Sequence, residues 1–239
     1  MPLEDGTNAE GEDPSPPLDW TSKDDIKDAK IYGSKISPPC FKIMLFLEHY
    51  GVPYEMIESD AGKGITPTSS YKKIPVMTAS GRTINDSSVI AKQLLLACGG
   101  AEVDAALLDE IVFGFQPSIE VDVLSNGADL KKIAVAAGYP VWCVPEFILS
   151  YTLGDGIAKS IARKHPDMKP ANEYGARFKT SMGDNLYHGG NEVDGADISY
   201  YGTIKPFHVG ENCVVATHLR ACGLEAWYGR MEGAMPLVK

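Results

Sequence analysis

No Cys-x2-Cys pair occurs in the 239 residues, although five cysteines are present: Cys40, Cys98, Cys143, Cys213 and Cys222. Its absence excludes a dithiol redox centre and the usual structural zinc spacings. The odd count and wide spacing also argue against a disulfide framework. They fit a reducing compartment, cytoplasmic or organellar (the mitochondrial matrix side included), rather than secretion. Cys98, Cys143, Cys213 and Cys222 lie among apolar neighbours and read as small core residues. Long apolar runs are missing too. The longest, Ile43 to Leu47, falls far short of the ~18–20 residues that span a bilayer. No basic, apolar leader opens the chain, so it reads as soluble. His49, His165, His188, His208 and His218 fit no catalytic triad, and Asp155, Asp184 and Asp194 lack paired-carboxylate spacing.

Residues 1–19 hold six acidic groups and neither Lys nor Arg. The net charge of −10 argues against nucleic acid or an anionic membrane surface as partner. With almost no large apolar residue, this stretch cannot offset its ordering entropy. Residues 1–27 are therefore expected to form an acidic, disordered tail; a docking arm for a partner is the alternative.

From residue 28 onward the chain is patterned. "AKIYGS", from Ala29, reads as a strand entering a turn. The next helix places Ile43, Phe46, Leu47 and Tyr50 on one face and stops at Gly51. "PYEMIE" is a second strand. After a Gly, Thr, Pro and Ser loop, "IPVMTA" and "RTIND" flank Ser80-Gly81 as an antiparallel hairpin. Asp86-Ser87 caps another helix. The segment 98–104 is the expected boundary. Beyond it helices are expected at 104–112, 145–164, 170–187, 194–207 and 210–233, the fourth opened by an Asp194-x-x-Asp197 capping box. Residues 114–139 carry no clear pattern.

The β-α-β-β-β-α order, followed by an all-helical half, resembles the glutathione transferase architecture. Three matches carry the resemblance: Ser37-Pro38-Pro39-Cys40 at the first turn, "KKIPVM" around Pro75, and "NDSSVIAKQLL" from Asn85. The implied fold is an α/β thioredoxin-like domain at 28–98 plus an all-α domain at 104–239. Within that group, "FLEHYGVPYEMIE", "HGGNEVDGADISYYGTI" and "EAWYGRMEGAM" resemble the membrane-associated prostaglandin E synthase type 2 family. That family's Cys-Pro-Phe-Cys has a Tyr three residues upstream. Here Ser34, Ser37 and Pro39 replace the Tyr, the first Cys and the Phe.

The resemblance implies glutathione as ligand. Pro75 is expected to be cis, with the Val76 backbone pairing with the peptide as an added strand. Ser87 and helix amides would take the γ-glutamyl carboxylate, Asp86 its ammonium, and Lys73 or Lys63 the glycyl carboxylate. Ser37 has three readings: a hydroxyl that holds a glutathione thiolate, a plain helix cap, or the relic of a Cys. Cys40 is either a buried structural thiol or a slow glutathionylation site. Two functions are open. One is a glutathione-dependent, prostaglandin-synthase-like isomerase or transferase acting on a small electrophile. The other is a non-catalytic accessory subunit, joined to a larger assembly through the acidic tail or the helical surface. Homodimers are common in this fold.

Overall fold

The computed structural model describes residues 20–59, 73–98, 105–136, 138, 141, 144–149 and 154–235. The acidic stretch 1–19, the loop with Lys63, and Cys143 lie outside these residues. The chain divides into two compact units, Met1–Glu102 with Met235–Lys239, and Val103–Ala234.

In the first unit, β1 (Ala29–Gly33) leads into α1 (Pro38–Tyr50), then β2 (Tyr54–Glu58), β3 (Val76–Ala79), β4 (Arg82–Asn85) and α2 (Ser87–Ala97). The sheet order is β2-β1-β3-β4. β1 runs parallel to β2, and β3 is antiparallel to both β1 and β4. The helical crossover between β1 and β2 permits the parallel pair, and a two-residue turn the antiparallel one. In that turn Ser80 (φ 53) and Gly81 (φ 73) are both left-handed, the geometry that matches the twist of a hairpin.

Two features depart from the sequence reading. α1 is buried well beyond one stripe. Ile43, Met44, Leu45, Phe46 and Leu47 are all at most 1% exposed, and Lys42 is buried with them. Packed structure also starts earlier than expected. Residues 20–27, read as part of a disordered segment, carry a 3-10 turn at Lys23–Asp25, with Trp20 and Ile26 buried. Backbone and hydroxyl bonds tie them to the hairpin: Lys27 N donates to Ser80 Oγ at 3.0 Å, and Ser80 N donates to Lys27 O at 2.7 Å. Two apolar side chains and the turn's own hydrogen bonds outweigh the acidic composition around them.

The second unit is helical. α3 (Ala105–Glu110) passes through a π-helical turn at Ile111–Phe115 into α4 (Gln116–Leu124). Then come α5 (Gly127–Ala136), α6 (Glu146–Leu149), α7 (Asp155–Lys164), α8 (Ala171–Met182), α9 (Gly195–Ile204), α10 (Val214–Cys222) and α11 (Glu225–Ala234). The unpatterned stretch 114–139 therefore includes two helices. Pro117 lies at the start of α4 just after the π turn; it has no N–H to give, and the wider turn before it keeps the run helical. Gly114 in that turn lies against Tyr174, whose ring a Cβ would meet at 2.5 Å. The expected helix at 210–233 is two helices. Gly223 (φ 66) ends α10 in a left-handed cap.

The core of this unit is aromatic. Phe115 and Phe178 stack on either side of Tyr200, at 4.1 and 4.3 Å, and Trp227 meets Phe178 and Tyr200 edge-on. Beside it lies the Asp194–Asp197 capping box. Asp194 accepts from Ala196 N and Asp197 N. Asp197, fully buried, accepts from His188 N, Asp194 N and Trp227 Nε1.

Candidate functional site

The turn between β1 and α1 is built on prolines. Ser37 is the helix N-cap, in extended conformation (φ −78, ψ 119), and its carbonyl accepts from Phe41 N at 2.8 Å. A helix start normally leaves several amides unpaired, and these are what bind an anion. Pro38 and Pro39 have no N–H, so Cys40 supplies the one intrahelically unpaired amide of this first turn. Pro39 has no N–H to donate to the Ser37 hydroxyl, which makes no capping bond. It lies beside the Cys40 sulfur instead.

Cys40 is fully buried against Gly33, where a Cβ would run into its sulfur. Burial pushes its thiol up to about 11, while the Ser37 hydroxyl and the Ser34 backbone pull weakly the other way. At neutral pH it is a protonated thiol without access to solvent. As a catalytic candidate it fails on both counts, and its role is packing.

Pro75 follows a cis Ile74–Pro75 bond and is buried. The expectation for Val76 needs correction. It is fully buried inside the sheet, opposite Tyr32 of β1 on one side and Asn85 of β4 on the other. Its amide and carbonyl belong to a strand paired on both edges, so no added strand can use them. Ile74, half-buried, precedes both registers and is the residue whose backbone stands outside the ladders. In the sequence the strand pattern "VMTA" begins at Val76, which leaves Ile74 ahead of it.

Asp86 caps α2 at φ 72, ψ 128, a left-sided conformation unusual for any residue but glycine. Its Oδ1 is already engaged, accepting from Ser88 N at 2.8 Å and Ser88 Oγ at 2.6 Å. Ser87 is buried. The amides of Ser87 and Val89, in the first turn, have no partner within the helix itself. Lys73 is half-buried, one residue before Ile74.

The sheet brings these pieces to one end. Gly33 closes β1, and a Cβ there would meet both Cys40 and, at 3.6 Å, Ile74. The pairing of Val76 with Asn85 places Asp86 one residue further on. Ser37, Ile74-Pro75 and Asp86 thus meet through β1, β3 and β4, although nearly fifty residues separate the first from the last. Gly33 and Ile74 are the two members that sequence reasoning missed.

A thioredoxin-like sheet unit followed by a helical unit, with this constellation at the sheet's end, defines a protein of glutathione S-transferase fold. Comparison with known proteins agrees. Residues 36–94 match the family model "Glutathione S-transferase, N-terminal domain". A glutathione S-transferase from Pseudomonas fluorescens superposes with a TM-score of 0.54 at 19% identity, over 88% of this chain and 99% of that one. The β-etherase LigF from Sphingobium gives 0.58 at 14% identity, over 85% and 94%. Prostaglandin E synthase 2 of Danio rerio is 35% identical over 66 residues, which is 27% of this chain and 18% of that protein. The Mus musculus protein is 35% identical over 69 residues, with the same shares. The match thus spans about a fifth of the curated relatives' length. The chain is glutathione S-transferase-like, with a local similarity to prostaglandin E synthase 2.

Among the described residues, no helix is long and apolar enough to cross a membrane, and no group of three or more His, Cys, Asp or Glu is placed to hold a metal ion.

Proposed function

We propose that the protein binds reduced glutathione at this end of the sheet and transfers its thiol to a small electrophile, in the manner of a serine-type glutathione transferase. The observation that carries the reading is the Ser37 hydroxyl. It stands at a helix start, makes no capping bond, and already lies beside one sulfur. It would donate a hydrogen bond to the glutathione thiolate. The thiolate sulfur attacks the electrophilic carbon, a carbon–sulfur bond forms, and the leaving group departs with its electron pair. The Ile74 backbone would pair with the cysteinyl residue as an added strand. The Ser87 and Val89 amides would take the γ-glutamyl carboxylate, with Asp86 beside the ammonium. Lys73 would meet the glycyl carboxylate. A prostaglandin-synthase-like isomerisation is the finer version of the same reading, with Ser37 in place of the attacking Cys.

A second reading, a non-catalytic subunit that keeps the fold as scaffold, is favoured by the amide-poor, proline-built helix start and by the engagement of Asp86 with Ser88. Calorimetry with reduced glutathione separates the two. Binding at millimolar concentration or tighter supports the first; no heat at ten millimolar removes it. Ser37→Ala should then lower the conjugation rate with a general electrophile at nearly unchanged affinity. An unchanged rate takes Ser37 out of the mechanism.

A further inference from the structure

β4 ends at Asn85 and α2 begins at Ser87, so a single residue makes the whole change from strand to helix. Asp86 makes it at φ 72, ψ 128. Glycine accepts a positive φ freely, whereas a residue with a Cβ is strained there. Glycine is also nearly as good as aspartate at an N-cap. Neither the turn nor the cap therefore requires a carboxylate at 86, and the strain points to a use for the side chain.

Two bonds hold that carboxylate, and both come from Ser88. The Ser88 amide donates to Asp86 Oδ1 at 2.8 Å, and the Ser88 hydroxyl donates to the same oxygen at 2.6 Å. The amide bond is the ordinary contact of an N-cap side chain with the second residue of its helix. The hydroxyl bond is additional, and its length is that of a charge-assisted O–H···O⁻ contact. Ser88 is 7% exposed, so its hydroxyl has little water to turn to. The last torsion of an aspartate is broad, and a single bond leaves the carboxylate room to turn. With two donors on one oxygen, turning it breaks both bonds at once. Oδ1 is thus engaged twice, and Oδ2 takes no bond from the described residues.

On the basis of the transferase reading, we propose that Ser88 is a positioning residue: its hydroxyl locks Asp86 so that Oδ2 meets the γ-glutamyl ammonium, and the site thereby selects thiol peptides with a free α-amino group at that end. The ammonium brings its donors and its charge to an acceptor already oriented, so binding takes no further side-chain freedom from residue 86. A peptide without the amino group gains nothing from the lock. In Ser88→Ala the amide at 88 remains, so the capping bond and the start of α2 are kept while the lock is lost.

The test compares reduced glutathione with glutaryl-cysteinyl-glycine, the same tripeptide lacking only the α-amino group. Each is titrated calorimetrically into the full chain, into Ser88→Ala and into Ser88→Thr. The unaltered protein is expected to bind glutathione at least about tenfold more tightly than the deaminated peptide. Ser88→Ala should weaken glutathione about five- to tenfold and leave the deaminated peptide within about twofold, so that the preference nearly disappears. Ser88→Thr, which keeps the hydroxyl, should keep the preference. A residue that only supported the fold would lower both affinities together. Equal binding of the two peptides by the unaltered protein, a preference that survives Ser88→Ala, a parallel loss for both peptides, or a preference lost equally in Ser88→Thr would each overturn the assignment of Ser88 and leave the transferase reading standing. Binding of neither peptide by the unaltered protein is the different outcome that removes the transferase reading, and the role of Ser88 with it.

Discussion

The two compact units treat their polar groups in opposite ways. In the sheet unit, the groups at the candidate site sit at the ends of elements: a Ser37 hydroxyl that makes no capping bond and lies beside the Cys40 sulfur, α2 amides with no partner inside the helix, and an Ile74 backbone outside both ladders. In the helical unit, the buried Asp197 and His218 spend their capacity on neighbours, two backbone amides and an indole for the first, a tyrosine and an asparagine for the second. Polar groups buried and satisfied hold a fold together, while those left open at element ends can meet a ligand. The network around Asp197 is therefore read as structural and the β1–α1 turn as the place for chemistry.

The sharpest break of this contrast is Asp197→Ala. It strands the Trp227 indole N–H and two backbone amides inside the unit, at a cost on the order of 3–5 kcal/mol in urea unfolding at pH 7. A loss below about 1 kcal/mol would mean the network is dispensable. Next comes acid. Burial lowers the folded-state pKa of His218 from 6.5 to about 4. Between those values the unfolded chain binds the proton and the folded one does not. The stability contributed by the neutral ring is present above pH 6.5 and is lost as pH falls toward 4, a span of about 3 kcal/mol. His218→Gln should flatten that part of the stability–pH curve; an unchanged slope would assign it to other groups.

In the sheet unit the effects should be smaller. Gly33→Ala forces a methyl against the Cys40 sulfur and should cost about 1–3 kcal/mol. Adding Cys40→Ala should restore most of it, a coupling readable in a double-mutant cycle. Without that recovery, Cys40 is not what requires a glycine at 33. Asp86→Ala should cost about 1 kcal/mol through loss of its bonds to Ser88, with the left-sided backbone adding to it. Asp86→Gly should cost only a few tenths, because glycine accepts φ 72. If the two variants unfold alike, backbone conformation plays no part in the cap.

Much of this could be read from residue order. The strand and helix pattern from Ala29 to Ala97 follows from periodicity and from Gly51, Ser80-Gly81 and Asp86 as punctuation, and the Asp194–Asp197 box from spacing alone. The errors have physical causes. Residues 114–139 showed no pattern, because sequence does not show that a π turn can absorb Pro117 and carry the run on into α4. Residues 20–27 looked like tail, because the burial of Trp20 and Ile26 depends on a hairpin more than fifty residues away. Val76 looked available, because the strand that occupies each of its edges is known only once the sheet is assembled.

By itself, the sequence determined which residue types could do chemistry. With Ser at 37 there is no dithiol, and with Pro at 38 and 39 the helix start loses two amides, whatever the fold. These are covalent facts and need no neighbour. Tertiary structure alone decided availability. Packing against Gly33 buried the Cys40 thiol and kept it protonated, strand pairing on both sides closed Val76 and left Ile74 outside, and the engagement of Asp86 with Ser88 set how much of its carboxylate remains. Burial and hydrogen-bond partners come from segments far apart in the chain, and local sequence carries no record of them.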